Sequence, residues 1–302
     1  MKHLLALKDL SAEEIYAVLN LADQLKYEQK HGIAHEKLKG KTLAMIFTKS
    51  STRTRVSFET GMYQLGGQAL FLSSADIQLG RGEPIRDTAR VLSRYVDGIM
   101  IRTFKQSDVE ELAEYGTVPV INGLTDYAHP CQVLADLMTV REIKGSLKNL
   151  KLCFIGDGNN MANSLIAGAV KVGMQITVCC PKGYEPDAAL VQCGTESGLL
   201  TVTDDVLGGA ADADVIYTDV WASMGQESEA EVRAKAFRGF QVNAGVMAAA
   251  KPDAMVLHCL PAHRGEEITE EVLEAHAAEI FEEAENRLHA QKAVLVMTMG
   301  RY

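Results

Sequence analysis

Short apolar segments alternate with helical patterns along almost the whole chain, and this alternation constrains the fold more than any other feature. The segments 42–47, 68–72 and 98–101 are typical of buried strands, and a segment with helical periodicity follows each one. Strands that are separated by helices predict a parallel sheet with helical crossovers. A further strand at 118–121 completes the first half, and the second half has predicted strands at 151–155, 175–179, 214–217 and 255–257. The predicted helices lie at 53–65, 85–95, 109–115 and 131–143 in the first half and at 162–172 and 279–295 in the second.

The chain is long enough for two domains. Its 302 residues exceed the roughly 100–200 residues of a typical domain. The polar run Gly-Ser-Leu-Lys-Asn at 145–149 interrupts the alternation and predicts a boundary, with a first domain at 1–145 and a second at 146–284. Spacing alone leaves open whether the last helix stays on the second domain or returns to the first.

Charge and composition narrow the class of ligand. The net charge of −10 provides no basic surface for nucleic acid or an anionic membrane, although local arginines can still bind a small anion. The six cysteines form no C-x-x-C pair, so no metal site is expected. No apolar stretch approaches the ~20 residues of a membrane helix. The apolar run in residues 1–8 is too short for a signal peptide, and a cytoplasmic location is predicted.

A hydroxyl-rich and arginine-rich segment lies where a predicted strand gives way to a helix. Residues 50–55 read Ser-Ser-Thr-Arg-Thr-Arg. The first N–H groups of a helix point outward at the positive end of its dipole, so an oxyanion is stabilised there. Ser51, Thr52 and Thr54 add hydroxyl donors, and Arg53 adds a planar fork that matches phosphate oxygens. Arg55 is four residues before Glu59 and is interpreted as a structural ion pair.

Four further side chains lie near the ends of predicted elements. Arg102 and Asp219 follow predicted strands, where ligands of α/β sheets gather, and His129 precedes a proline before a helix. Cys259 follows the last predicted strand. Each has a simpler explanation when taken alone: a surface ion pair, a loop cap, a turn histidine and a small buried side chain.

The segment Phe47-Thr48-Lys49-Ser50-Ser51-Thr52-Arg53-Thr54-Arg55 resembles the carbamoyl phosphate loop of the aspartate/ornithine carbamoyltransferase family. Three more segments extend the resemblance in the expected order. His129-Pro130-Cys131-Gln132 is similar to the second carbamoyl phosphate motif. Asp219-Val220-Trp221-Ala222-Ser223-Met224-Gly225 and His258-Cys259-Leu260-Pro261-Ala262-His263-Arg264-Gly265 are similar to the amino-acid loop and the cysteine motif of the ornithine branch.

The resemblance implies a fold, an activity and an assembly. The fold would consist of two doubly wound parallel-sheet α/β domains joined by helices, with the C-terminal helix at 285–302 packing back on the first domain. The first domain would bind carbamoyl phosphate and the second L-ornithine, and the products would be L-citrulline and phosphate. Arginine biosynthesis is favoured over catabolism. The resemblance also implies a homotrimer or a multiple of trimers, with no cofactor.

The resemblance also assigns residues to the two substrates. The carbamoyl phosphate ligands it implies are Ser51, Thr52, Arg53, Thr54, Gln78 from a neighbouring subunit, Arg102, His129, Gln132, Cys259, Leu260 and Arg287. The ornithine ligands it implies are Asn159, Asn160, Asp219, Ser223 and Met224. The catalytic residues would be Arg102, His129, Asp219 and Cys259. The Leu260-Pro261 bond is a candidate for a cis peptide.

Rival functions remain testable. The segment Gly156-Asp157-Gly158-Asn159-Asn160 follows a strand and resembles half of a dinucleotide motif, but Met161 replaces the third glycine and the next strand ends without the ribose-binding acid. An NAD-dependent dehydrogenase is therefore disfavoured. A carbamoyltransferase that uses aspartate would need cationic groups for a second carboxylate, and one that uses putrescine would leave Asp219 without the α-amino group. A non-catalytic subunit is the remaining alternative.

Overall fold

The computed structural model describes residues 1–223, 225 and 227–300, with the backbone alone for Gly80 and Glu227. These residues form two compact units. One consists of Met1–Met138 and the chain from Asn286 onward, and the other of Thr139–Glu285. The first division falls inside a helix, a few residues before the polar run at 145–149. Each unit is built around one parallel sheet, so the predicted α/β class is confirmed.

The first unit contains the strands β1 (Thr42–Phe47), β2 (Gln68–Ser73), β3 (Gly98–Arg102) and β4 (Val120–Leu124). They form a sheet in the order β2-β1-β3-β4, and all neighbours are parallel. The first helices of the chain are α1 (Ala12–Lys30), α2 (Thr52–Gln64), α3 (Ile85–Leu92), α4 (Gln106–Tyr115) and α5 (Pro130–Lys144), with 3-10 turns at Leu7–Asp9 and Gln78–Arg81.

The second unit contains β5 (Lys151–Ile155), β6 (Gln175–Cys179), β7 (Leu200–Thr203), β8 (Val215–Thr218) and β9 (Met255–His258). Their order is β7-β6-β5-β8-β9, again fully parallel. The helices are α6 (Asn160–Val172), α7 (Ala188–Glu196), α8 (Val206–Ala210), α9 (Ala230–Ala236), α10 (Ala244–Ala249) and α11 (Glu270–Ala275), with a 3-10 turn at Glu227–Glu229.

The last helix, α12 (Ala277–Met299), begins in the second unit and belongs to the first from Asn286 onward. In the first unit it runs close to α2, since a methyl group added at Gly61 would lie 3.2 Å from Cγ of Lys292. The return of the C-terminal helix to the first unit is thereby confirmed. Among the residues that the structure describes, no helix has both the length and the apolarity needed to cross a bilayer.

The strand orders determine where ligands can gather. In each sheet the chain winds outward in one direction from a central strand and then crosses to the other side, so the order reverses between β1 and β3 and again between β5 and β8. Loops after neighbouring strands diverge at such a point and leave a crevice at the carboxyl edge of the sheet. The predicted phosphate loop follows β1, and Asp219 follows β8. Both therefore lie at these reversals.

Candidate active site

The predicted phosphate loop forms the amino end of α2 directly after β1. Ser51 is the N-cap: its hydroxyl oxygen accepts from the Thr54 N–H at 3.2 Å, and the hydroxyl also donates to Thr54 Oγ1 at 3.1 Å. Thr52 and Arg53 occupy the exposed first turn. Arg55 forms the predicted i,i+4 ion pair with Glu59, with 3.0 Å between Nε and Oε1. The loop therefore presents helix N–H groups and a guanidinium at the carboxyl edge of the sheet.

Two buried arginines converge on the hydroxyl of Thr54. Arg102, the last residue of β3, points its Nη1 at Thr54 Oγ1 over 3.4 Å. Arg287 of α12 approaches the same oxygen with Nη2, also at 3.4 Å. Only 5% of Arg102 and 3% of Arg287 are exposed, so both charges act in a region of low dielectric. A buried pair of cationic groups therefore lies next to the phosphate loop, in addition to the exposed Arg53.

Gln132 is oriented by two neighbours on either side. Its Oε1 accepts from Arg287 Nη1 at 2.7 Å, and its Nε2 donates to Asp136 Oδ1 at 2.9 Å. The predicted role of this amide oxygen was to accept from the carbamoyl NH2 group. A carbonyl oxygen has two lone pairs, so Oε1 can accept from a ligand as well as from Arg287.

His129 is almost fully buried just before α5. Burial lowers the pKa of its imidazole well below the usual value, and the nearby guanidinium groups of Arg287, Arg102 and Arg53 lower that pKa further. The ring is consequently neutral at pH 7. A neutral imidazole has one N–H and can donate a hydrogen bond to a developing oxyanion without adding a charge.

Gln78 begins the 3-10 turn at Gln78–Arg81, and its side chain is exposed. Its predicted reach into a neighbouring subunit concerns an assembly, so within the single chain it stays a prediction. Leu260 and Cys259 belong to the second unit. Their predicted contacts with carbamoyl phosphate also stay predictions.

The second unit brings three predicted residues together. Oδ1 of Asp219 accepts from the Cys259 thiol at 3.1 Å and from the Val220 N–H at 2.8 Å, and Oδ2 accepts from Asn159 Nδ2 at 2.9 Å. Asn159 also caps α6, since its Oδ1 accepts from two N–H groups in the first turn. Its amide thus orients Asp219 in addition to any ligand that it binds. Cys259 is partly exposed, and its Sγ lies 3.1 Å from Oδ1 of Asp219.

The segment after β9 is fixed by a buried histidine and a buried glutamate. The Leu260 N–H donates to Nδ1 of His258 at 2.9 Å, so Nε2 carries the proton and donates to Glu267 Oε1 at 3.0 Å. The same Glu267 oxygen accepts from the His263 N–H at 2.6 Å. Leu260-Pro261 is a cis peptide, as the sequence suggested. Both ends of the loop that carries Cys259 are therefore held by Glu267 and His258.

Potential metal-ligand atoms of Asp219, His258 and Cys259 lie within 4.8 Å of one another. Both ring nitrogens of His258 are already engaged in the loop contacts. The Cys259 thiol proton is engaged with Asp219. These contacts orient the loop through hydrogen bonds, and this is how we interpret the cluster.

A buried ion pair that sequence reasoning missed joins two loops of the same half-site. Arg233 of α9 donates from Nη1 to Asp157 Oδ2 at 2.8 Å and to the Trp221 carbonyl oxygen at 3.0 Å. Burial raises the pKa of Asp157, although the Arg233 guanidinium opposes that rise. The acidic Asp157 between Gly156 and Gly158 was visible in the sequence, but no local pattern identified Arg233 as its partner.

The remaining predicted ornithine ligands are less well defined. Asn160 is the first residue of α6 and is buried, so it lies at the carboxyl edge beside Asn159. Ser223 is half-buried in the loop after β8. Met224 lies outside the described residues.

Cys131 is fully buried in the first unit, whereas Cys259 is partly exposed, and burial raises the pKa of the Cys131 thiol to about 12.

Comparison with known proteins gives a consistent picture over the whole chain. Residues 2–142 match the family description "Aspartate/ornithine carbamoyltransferase, carbamoyl-P binding domain", and residues 148–298 match "Aspartate/ornithine carbamoyltransferase, Asp/Orn binding domain". A protein of Anoxybacillus flavithermus named ornithine carbamoyltransferase is 61% identical over 300 residues, which cover 98% of this chain and 96% of that protein.

Solved structures agree with these matches. A structure titled ornithine carbamoyltransferase from Pyrococcus furiosus superposes with a TM-score of 0.94 at 56% identity, covering 99% of this chain and 97% of the other. The anabolic ornithine carbamoyltransferase from Campylobacter jejuni gives a TM-score of 0.92 at 45% identity, covering 99% of each chain.

Proposed function

The chain belongs to the aspartate/ornithine carbamoyltransferase family, and we propose that it transfers the carbamoyl group of carbamoyl phosphate to the side-chain amine of L-ornithine. The products are L-citrulline and phosphate. The observation that carries the choice of acceptor is the arrangement of Asp219, Cys259 and Asn159 at the carboxyl edge of the second sheet. The oriented carboxylate of Asp219 is suited to pair with an ammonium group, which is the form of the α-amino group of ornithine.

In the first unit, the donor substrate is held by the amino end of α2. Ser51, Thr52, Arg53 and Thr54 surround the phosphate, and the buried pair Arg102 and Arg287 adds two guanidinium groups behind Thr54. Phosphate is matched by planar forks and helix N–H groups together. Gln132 accepts from the carbamoyl NH2 group with its remaining lone pair, and Gln78 of a neighbouring subunit completes the site.

In the second unit, Asp219 pairs with the α-amino group of ornithine and Asn160 binds its carboxylate. Ser223 and Met224 line the same site, and the Cys259 thiol aligns the side chain. The carbonyl group of Leu260 accepts from the carbamoyl NH2 group. Support comes from the position of these residues after β5, β8 and β9, where ligands of doubly wound sheets bind.

The chemical step is attack of the neutral amine nitrogen on the carbonyl carbon. A C–N bond forms, negative charge grows on the carbonyl oxygen, and the C–O bond to phosphate then breaks. Arg102 and the neutral N–H of His129 stabilise that oxygen, because preoriented donors lower the barrier where charge develops. The amine proton leaves with the phosphate, so no covalent enzyme intermediate is needed.

An acceptor panel tests this function. Purified protein is assayed for a ureido product with carbamoyl phosphate and equimolar ornithine, aspartate or putrescine. We expect ornithine turnover to exceed both alternatives by about a hundredfold. Putrescine lacks the α-amino group and would leave the buried Asp219 carboxylate without its ammonium partner, whereas aspartate brings a second carboxylate, and the described residues that we propose to bind the acceptor include no cationic group. Preferred use of aspartate or putrescine would refute the assignment, and absence of turnover would favour a non-catalytic subunit.

Three further features belong to the same proposal. Relatives titled "anabolic" support arginine biosynthesis over catabolism. A homotrimer, or a multiple of trimers, follows from the predicted reach of Gln78 between subunits, and sedimentation of the purified protein tests it. A cytoplasmic location is proposed with them, because the substrates are small metabolites.

A further inference from the structure

A buried glutamine outside every recognised motif connects a substrate-binding arginine to the phosphate loop. Gln291 is a fully buried residue of α12, one helical turn after Arg287. Its Oε1 accepts from Arg287 Nε at 3.0 Å, and its Nε2 donates to Ser57 Oγ at 2.6 Å. One amide group therefore bridges α12 and α2 within the first unit.

The bridge continues into the first turn of the phosphate helix. Ser57 donates to the Arg53 carbonyl oxygen at 2.6 Å and approaches the Thr54 carbonyl oxygen at 3.3 Å. Arg53 and Thr54 carry the anion-binding side chains and N–H groups of that turn. The orientation of Arg287 and the position of the loop backbone are thus linked through Gln291 and Ser57.

The remaining donors of Arg287 explain why its orientation matters. Nη1 donates to Gln132 at 2.7 Å, whereas Nη2 forms a longer contact of 3.4 Å with Thr54 Oγ1. Because Gln291 holds Nε at 3.0 Å and Gln132 holds Nη1 at 2.7 Å, the two shorter hydrogen bonds fix the plane of the guanidinium group. A long arginine side chain otherwise loses rotamer freedom on binding, and fixing it beforehand removes that loss from the binding free energy.

We propose that Gln291 is a positioning residue that preorients Arg287 and couples it to the phosphate loop through Ser57. A glutamine suits this place because one planar group both accepts and donates. Leucine at 291 would provide neither function. Glutamate would accept from Arg287, but it would offset the cationic charge of the site. The proposal rests on the proposed function, because it assumes that Arg287 binds carbamoyl phosphate.

The test measures equilibrium dissociation constants of the full-length protein for carbamoyl phosphate and for inorganic phosphate by calorimetry. We expect Gln291→Leu to raise both dissociation constants about tenfold, because it removes a hydrogen bond to the charged Arg287. Ser57→Ala should raise them about threefold, because the hydrogen bond that it removes between Ser57 and Gln291 is a neutral one. The double variant should match Gln291→Leu alone, because both changes break the same bridge. Ser57 is half-buried, so its variant remains folded even if Gln291→Leu does not.

Gln64→Leu is the matched control on the same pair of helices. The Gln64 side chain accepts from Lys292 Nζ at 2.9 Å and lies at the far end of α2 from the loop. The Gln64→Leu variant should have a lower melting temperature and unchanged dissociation constants for both anions. Gln291→Leu or Ser57→Ala variants that bind like wild type, or additive effects in the double variant, would overturn the inference. Wild-type protein that binds neither anion would instead refute the proposed function.

Discussion

A methyl group at Gly158 should disturb the proposed ornithine site of the second unit with little effect on the proposed carbamoyl phosphate site of the first. Gly158 lies between Asp157 and Asn159 in the loop after β5, and its N–H donates to the Tyr184 carbonyl oxygen at 2.9 Å. A Cβ at this position would lie 2.5 Å from that oxygen and closer still to the Glu185 carbonyl carbon. Backbone, not a flexible side chain, fills the space.

The size of the effect follows from these distances. Heavy atoms not bonded to each other settle at roughly 3.5 Å, so one of the two backbone segments must move by about 1 Å. Overpacking of this kind destabilises by about 1–3 kcal/mol. The displaced loop carries Asn159, whose amide holds Asp219 at 2.9 Å. A shift of ~1 Å there is large enough to reduce kcat/KM for ornithine by about tenfold to a hundredfold.

The assay compares Gly158→Ala with Gly173→Ala in steady-state kinetics and thermal unfolding. Gly173 is the C-cap of α6, with φ +77°, and no atom lies nearer than 3.6 Å to an added Cβ. Its alanine variant should therefore lose about 1 kcal/mol of folding stability through backbone strain alone. We expect both variants to have lower melting temperatures than wild type. Only Gly158→Ala should lose ornithine turnover, and its KM for carbamoyl phosphate should be unchanged. Equal ornithine kinetics in the two variants would refute the reasoning.

Three other outcomes are expected. Cys259→Ala should chiefly impair ornithine use, with kcat/KM for ornithine about tenfold lower and a smaller change in KM for carbamoyl phosphate, because Asp219 loses a hydrogen bond; unchanged kinetics would return Cys259 to a packing role. The wild-type rate should rise from pH 6 to 9, since the free amine has a pKa near 10.4 while His129 stays neutral; a flat profile with rate-limiting chemistry would contradict this. Burial lowers the pKa of Lys292 to about 8, so the unfolded chain binds more protons between pH 8 and about 10.4, and the free energy of unfolding should rise with pH across that window. Lys292→Met should flatten the rise in urea titrations, and an equal slope in both proteins would exclude Lys292 as its source.

The strands at the centre of each sheet could be predicted because they are buried on both faces. All residues of β3 are buried, and β5 and β6 have the predicted bounds 151–155 and 175–179. A continuous apolar run is the signature of such strands. The edge strand β7 (Leu200–Thr203) was missed, because it pairs only with β6 and alternates apolar residues with threonine. Helix α1 was missed as well, although its capping box of Ser11 and Glu14 was a readable signal.

Positions along the chain predicted which side chains reach the carboxyl edges, but not how they are held there. Asp219 and Cys259 could each be placed after a strand, yet their 3.1 Å contact depends on β8 and β9 being neighbours, an order that no local pattern specifies. The pair Asp157 and Arg233 depends likewise on α9 folding over the glycine loop. Hydrogen bonds between distant segments require the sheet order first, so their prediction must follow that of the topology.

The two units show one arrangement that sequence reasoning had treated as two unrelated motifs. In each unit the chain passes from a central strand of the sheet into a helix whose N-cap side chain both closes the first turn and contacts a residue that we propose to bind a ligand. Ser51 does so for α2 by donating to Thr54, and Asn159 does so for α6 by donating to Asp219. An N-cap is normally assessed by the helix that it stabilises, at about 1 kcal/mol. Here the same side chain also holds a residue that the proposed function assigns to a substrate, so replacing either cap is expected to affect binding more than unfolding.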